Sequence, residues 1–163
     1  MDATPLPSPR AFITGATAGI GAEFARQLAA SGHDLVLVAR DEARVRKRAS
    51  EVRAEYGVAV EVLVADLVER ADPLERADLV VVEARLVASG ADRVTVLVND
   101  AGFGLLKLFD DNPVGDEQQL LDLLVTAPMR LAHSVLGQML GSGCGTASNP
   151  PMSWQAELTT QCQ

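Results

Sequence analysis

Aromatic side chains are scarce: four Phe, one Tyr and one Trp make up 4% of the 163 residues. With 48% hydrophobic residues a buried core is still feasible, but it must be aliphatic. The length suits one domain of ordinary size. Cysteine is rarer, with only Cys144 and Cys162, both late in the chain. No His or other Cys sits close enough to make either one part of a zinc site, and a pair of free thiols is the expectation. Positive charge is in deficit: 14 Lys and Arg against 22 Asp and Glu give a net charge of −8. That balance argues against nucleic acid or an anionic membrane surface as a partner. It leaves room for an anionic cofactor, because backbone amides can hold phosphate on an acidic protein. No apolar run approaches the roughly 20 residues of a membrane span. The first residues carry Pro5, Pro7 and Pro9 with no apolar stretch, so they do not read as a secretory signal. The expectation is a soluble, cytoplasmic chain with a Pro-rich extension over residues 1–9.

What is present is an alternation of short aliphatic runs with helix-period segments. Ala11-Phe12-Ile13-Thr14 reads as a first strand, ending at Gly15. A helix from about Ile20 to Ala30 follows, with Ile20, Phe24 and Leu28 on one face. Leu35 to Ala39 is a continuous apolar run, as expected of a parallel strand buried on both faces. A charged helix from about Asp41 to Tyr56 presents Val45, Ala49, Val52 and Tyr56 inward, and Gly57 stops it. Val58 to Ala65 is a third strand. Asp72-Pro73 opens a third helix, with a good N-cap and a proline where no hydrogen bond is lost. Its stripe is Leu79, Val82 and Leu86. Val94 to Val98 is a fourth strand, and a long helix from about Asp116 to Leu140 carries Pro128, which should kink it. Parallel strands need crossovers, and here the crossovers are helices. The fold expected over residues 10–141 is therefore α/β, a Rossmann-type doubly wound parallel sheet of about four strands with flanking helices. Residues 142–163 contain no aliphatic run and read as an irregular tail.

Thr14-Gly15-Ala16-Thr17-Ala18-Gly19-Ile20-Gly21 lies between the first strand and the first helix. Glycines there let the backbone turn tightly and approach a pyrophosphate, and the free N–H groups of the helix start face negative charge. A tight turn alone would also use glycine; the strand–turn–helix context is what favours phosphate.

The Gly-x-x-x-Gly-x-Gly spacing with Thr in front resembles the short-chain dehydrogenase/reductase family. Asp66-Leu67 after the third strand, Asn99-Asp100-Ala101-Gly102 after the fourth, and Val125-Thr126-Ala127-Pro128 in the long helix agree with it. The resemblance covers about residues 10 to 145, the front part of that family. It implies that Gly15, Thr17, Ala18, Gly19, Ile20 and Gly21 form the cofactor loop. It also implies that Asp66 hydrogen-bonds the adenine amino group, and that Asn99, Ala101 and Gly102 close over the adenosine ribose and brace the sheet. For Asp66 a strand-end turn former is the alternative. Arg40 stands at the end of the second strand, where NAD-preferring members carry an acid. A guanidinium suits a 2′-phosphate, so the expected cofactor is NADP(H) rather than NAD; a solvent-facing helix-start arginine is the alternative. Asp100 replaces the family's usual second Asn and loses two amide donors.

The family's activity is hydride transfer between NADP(H) or NAD(H) and a small carbonyl or alcohol substrate, with a Tyr and a Lys four residues later handling the proton. Here the one tyrosine is Tyr56, followed four residues on by Val60, and the lysines are Lys47 and Lys107. The helix Asn of the family aligns with Leu124. Ser142, Ser148 and Ser153 follow no fifth strand, so no catalytic residue is named. His33 and His133 have no paired acid or nucleophile. The motivated expectation is that the reading frame shifted or the gene was truncated near residues 145 to 147. The chain would then be inactive alone, with a non-enzymatic nucleotide-sensing or interaction module as the alternative. Loss of later strands would leave the fourth strand as an edge, and the apolar 116–140 helix would favour homo-oligomers. No metal is expected.

Overall fold

The computed structural model describes residues 8–68, 77–148 and 158–160. Strands β1 (Arg10–Thr14), β2 (Asp34–Ala39), β3 (Val60–Val64), β4 (Val96–Asn99), β5 (Gly145–Ser148) and β6 (Leu158–Thr160) form one sheet in the order β3-β2-β1-β4-β5-β6. The first five run parallel, and β6 is antiparallel to β5. Ile13 of β1 lies opposite Leu37 on one side and Val98 on the other. The chain thus winds outward from β1 through β2 to β3, then crosses back to β4. This reversal opens a crevice beyond the carboxyl ends of β1 and β4.

Alternation along each strand divides the core into two layers. Phe12, Val36, Val38 and Leu97 face helices α3 (Ala77–Leu86) and α5 (Ala127–Ser142), whereas Ala11, Ile13, Leu35, Leu37 and Val98 face α1 (Gly19–Ala30) and α2 (Glu42–Tyr56). Burial on both faces accounts for the unbroken apolar run of β2. On α2 the expected Val45, Ala49 and Val52 are buried, Asp41 caps the helix by accepting the Arg44 N–H at 3.0 Å, and Gly57 ends it. The α3 stripe Leu79, Val82 and Leu86 is buried as read. The Asp72-Pro73 start assigned to that helix lies outside the described residues.

Helix α1 differs from expectation. Its buried face is Gly21, Ala25 and Ala29, while Ile20 is half exposed. Small residues let the helix axis approach β1 and β2 closely, and the stripe of larger residues turns to the flank. The long helix begins earlier than expected, as α4 (Val114–Leu121), and continues through a π turn (Asp122–Thr126) into α5. Pro128 offers no N–H to the Leu124 carbonyl and its ring crowds that oxygen, so the preceding turn widens. Val114–Ser142, 29 residues, is long and apolar enough to cross a membrane by length and composition, contrary to expectation. Its Leu131, Val135 and Met139 are buried against the sheet, and Leu121, Val125, Met129 and Leu140 are exposed.

Two further expectations fail. Residues 145–148, assigned to an irregular tail, form β5, which pairs Thr146, Ala147 and Ser148 with Val96, Leu97 and Val98. β4 is consequently an interior strand, not an edge. Gly145-Thr146-Ala147-Ser148 lacks an aliphatic signature because main-chain bonds to an already apolar β4 carry the pairing. Cys144 is disulfide-bonded rather than a free thiol.

Candidate functional site

The crevice is shaped by two close approaches between the β1 and β4 loops. Gly15 has φ 72°, and a Cβ there would lie 2.6 Å from the Asp100 carbonyl oxygen. A Cβ on Gly21 would lie 2.7 Å from both Asp100 Oδ2 and the Gly15 carbonyl oxygen. Only glycine fits either position, which gives the loop spacing a steric basis. Hydrogen bonds staple the same loops. The Gly15 N–H also ties the β1 loop to β2, donating to the Val38 carbonyl at 3.1 Å. The hydroxyl of buried Thr14 accepts the N–H groups of Asp100 and Ala101, each at 3.1 Å. This role of Thr14 was not read from the sequence, although Thr in front of the first glycine was its signal.

The crevice encloses about 420 Å³ over the ends of β1, β2, β3 and β4. Of the residues singled out in the sequence, Gly15, Thr17, Ala18 and Gly19 line it from the β1 loop. Arg40 and Asp66 line it from β2 and β3, and Ala101 and Gly102 from the β4 loop. Leu67 and Leu123 add apolar wall. Three singled-out residues lie elsewhere. Ile20 faces a shallow surface hollow with Phe24 and Gln27, Gly21 is buried beneath Asp100, and Asn99 is buried at the end of β4. Asn99 stands opposite Thr14 in the β1–β4 pairing. Both of its amide atoms are buried without a partner among the described residues.

The sequence reading missed Arg44, on the first turn of α2, four residues after Arg40 and on the same wall. Among the described residues its guanidinium forms no ion pair. Arg40 is 61% exposed and lies 3.9 Å from the Asp66 carboxylate. Asp66 also accepts the Val68 N–H at 3.1 Å, so it makes a strand-end turn and lines the crevice at once. Asp100, on the remaining side, accepts the Gly21 N–H at 2.6 Å. Burial pushes its carboxyl above the ordinary range, and the Gly21 N–H opposes that only in part.

No Tyr, Lys or His is among the residues that line this crevice. Tyr56 sits at the end of α2, donates to Glu55 at 2.6 Å, and is pushed up by that bond. Ser148, set aside for want of a fifth strand, is the last residue of β5. No group of three His, Cys, Asp or Glu is placed to hold a metal among the described residues.

A glycine-shaped loop at the head of β1, at the point where strand order reverses, is an architecture that known proteins can be compared with directly. The family model for short chain dehydrogenase matches residues 9–148. The chain belongs to the short chain dehydrogenase family. It is 42% identical, with a TM-score of 0.79, to a short-chain dehydrogenase from Sphingobium yanoikuyae solved in complex with NADPH, covering 86% of this chain and 52% of that one. It is 38% identical, also with a TM-score of 0.79, to the bulky-bulky ketone specific alcohol dehydrogenase from Comamonas testosteroni, covering 88% and 54%. A very-long-chain 3-oxoacyl-CoA reductase from Laccaria bicolor is 34% identical over 132 residues, 80% of this chain and 37% of that protein. The chain therefore spans about half or less of the length of each of these relatives. Its sheet and flanking helices are the Rossmann-type fold expected from the sequence.

Proposed function

We propose that this chain is an NADP(H)-binding unit of the short chain dehydrogenase family, in which the crevice holds the adenosine half and diphosphate of the dinucleotide. The observation that carries the reading is the pair of close approaches at Gly15 and Gly21, which leave no room for a side chain at those two positions, beside an α1 N-terminus that no side chain caps at Ala18. The amides of that terminus, with the positive end of the α1 dipole, suit a diphosphate. Arg40 and Arg44 suit a 2′-phosphate, since both are cations on the wall at the end of β2. Asp66 and Ala101 border the same space on the adenosine side. The similarity to a dehydrogenase solved with NADPH supports the choice of cofactor.

When bound, NADPH supplies a hydride for reduction of a carbonyl group. In this chain Tyr56 is too far along α2 to act on that chemistry, and no Lys stands four residues after it. The chain alone therefore binds cofactor without turnover. The apolar face of the 114–142 helix, with Leu121, Val125 and Met129 exposed, is the surface through which copies associate.

Thermal unfolding with and without NADPH, together with a reductase assay on mixed carbonyls, tests the reading. NADPH at 100 times its Kd stabilises the folded state by about 2.7 kcal/mol and raises Tm, while absorbance at the nicotinamide band stays constant. Oxidation of NADPH by the isolated chain contradicts the binding-only reading. An unchanged Tm contradicts the cofactor.

A further inference from the structure

The carboxylate of Asp100 occupies an unusual place for a protein that binds a diphosphate. It approaches the first turn of α1 from the β4 loop and takes the Gly21 N–H at 2.6 Å. That amide is one of the donors a helix N-terminus would otherwise turn toward an anion. The close fit at Gly21 holds the carboxylate there, since Oδ2 lies 2.7 Å from where a Cβ would stand. Asp100 also lines the crevice itself, beside Gly15 and Gly19.

No cation offsets it. From α1 it meets Gly21, and Glu23 on that helix pairs with Arg26 at 2.5 Å. From β1 it meets Thr14, and from the long helix the crevice receives only Leu123. The charged groups on the crevice wall, Arg40, Asp41, Arg44 and Asp66, belong to the β2 and β3 ends. Arg40 is already shared with Asp66. Asp100 forms no ion pair among the described residues.

We propose that Asp100 couples dinucleotide binding to proton uptake: its carboxyl group takes a proton from solvent as the diphosphate seats on the α1 amides, so affinity falls as pH rises. The inference rests on the dinucleotide reading above. Two anions beside one helix end repel, and protonating the smaller relieves the repulsion while leaving an oxygen to accept the Gly21 N–H. A carboxyl already favoured in its neutral form by burial needs little further help. One proton bound per ligand sets the slope at no more than about tenfold in affinity per pH unit.

The test is calorimetric titration of the whole chain and of Asp100→Asn with NADPH between pH 6 and 9, in buffers of differing ionisation enthalpy. Asparagine keeps an oxygen for the Gly21 N–H and carries no charge. The native chain is expected to take up protons on binding and to lose more affinity than the variant as pH rises from 6 to 9. The variant is expected to bind tighter at pH 8. The 2′-phosphate titrates equally in both proteins and cancels in the comparison. Adenosine 2′-monophosphate, which has no diphosphate, is expected to bind both proteins alike. Equal NADPH affinity and equal proton uptake in the two proteins overturn the inference and leave the dinucleotide reading standing. Absence of NADPH binding by both folded proteins at every pH overturns the dinucleotide reading and this inference with it.

Discussion

Arg40 and Asp66 stand 3.9 Å apart across the mouth of the crevice, one at the end of β2 and the other just past β3. The pair is partly exposed, so solvent screens it and it holds the two loops only weakly. Its consequence is functional. Under the proposed reading, a 2′-phosphate placed there competes with Asp66 for the guanidinium.

Arg40→Ala should therefore separate the two coenzymes. Loss of one charge-assisted contact of about 1.5–3 kcal/mol weakens NADPH by roughly tenfold to a hundredfold and leaves NADH almost unchanged. Fluorescence titration with both coenzymes measures it. Arg44→Ala is expected to act in the same direction, because both cations share one wall.

Gly21→Ala tests the steric basis of the loop. The new methyl would meet the Gly15 backbone oxygen at 2.7 Å as well as the Asp100 side chain. Backbone does not yield as a side-chain end does, so the turn between β1 and α1 must open. Tm should fall and NADPH binding should be lost. Gly104→Ala, whose Cβ would meet nothing within 4 Å, is the matched control that leaves binding intact.

Ala25→Leu tests the close approach of α1 to the sheet. Ala25 is fully buried on the face that lies against β1 and β2. Overpacking there costs about 1–3 kcal/mol, visible in the denaturant midpoint. Phe24→Leu, on the helix flank, should shift that midpoint less.

Asp100 also links stability to pH. Its folded carboxyl titrates above its unfolded value because burial disfavours the charge. The folded state then binds the proton more tightly than the unfolded chain does. Stability falls as pH rises from the unfolded pKa through the folded one, and is regained on acidification across that window. Asp100→Asn should remove this component and raise Tm at neutral pH in the absence of ligand.

Much of the frame was legible because its signals are local. The run Leu35 to Val38 is apolar throughout because β2 is buried on both faces, and Gly57 marks the end of α2. The loop glycines were legible from spacing, although spacing does not disclose that Gly21 serves Asp100 while Gly15 serves the Asp100–Ala101 backbone. Three things were hidden. The α1 stripe was misassigned because Ile20, Phe24 and Leu28 have the right period, and the sequence pattern favours large residues over the alanines that permit close packing. β5 was missed because its pairing is main-chain work on a ready-made neighbour, with Thr146, Ala147 and Ser148 supplying little signal. Arg44 was missed because its position on the crevice wall depends on where α2 begins, and that is set by the Asp41 cap.

The central claim is that the start of α1, with Arg40 and Arg44 on the crevice wall, holds NADP(H). Isothermal titration of the folded chain with NADPH, NADH and 2′-phospho-AMP tests it most directly. NADPH is expected to bind saturably and one-to-one, NADH to bind at least about tenfold more weakly, and 2′-phospho-AMP to bind measurably. Heat from neither coenzyme on material with a cooperative unfolding transition, or tighter binding of NADH than of NADPH, would contradict it.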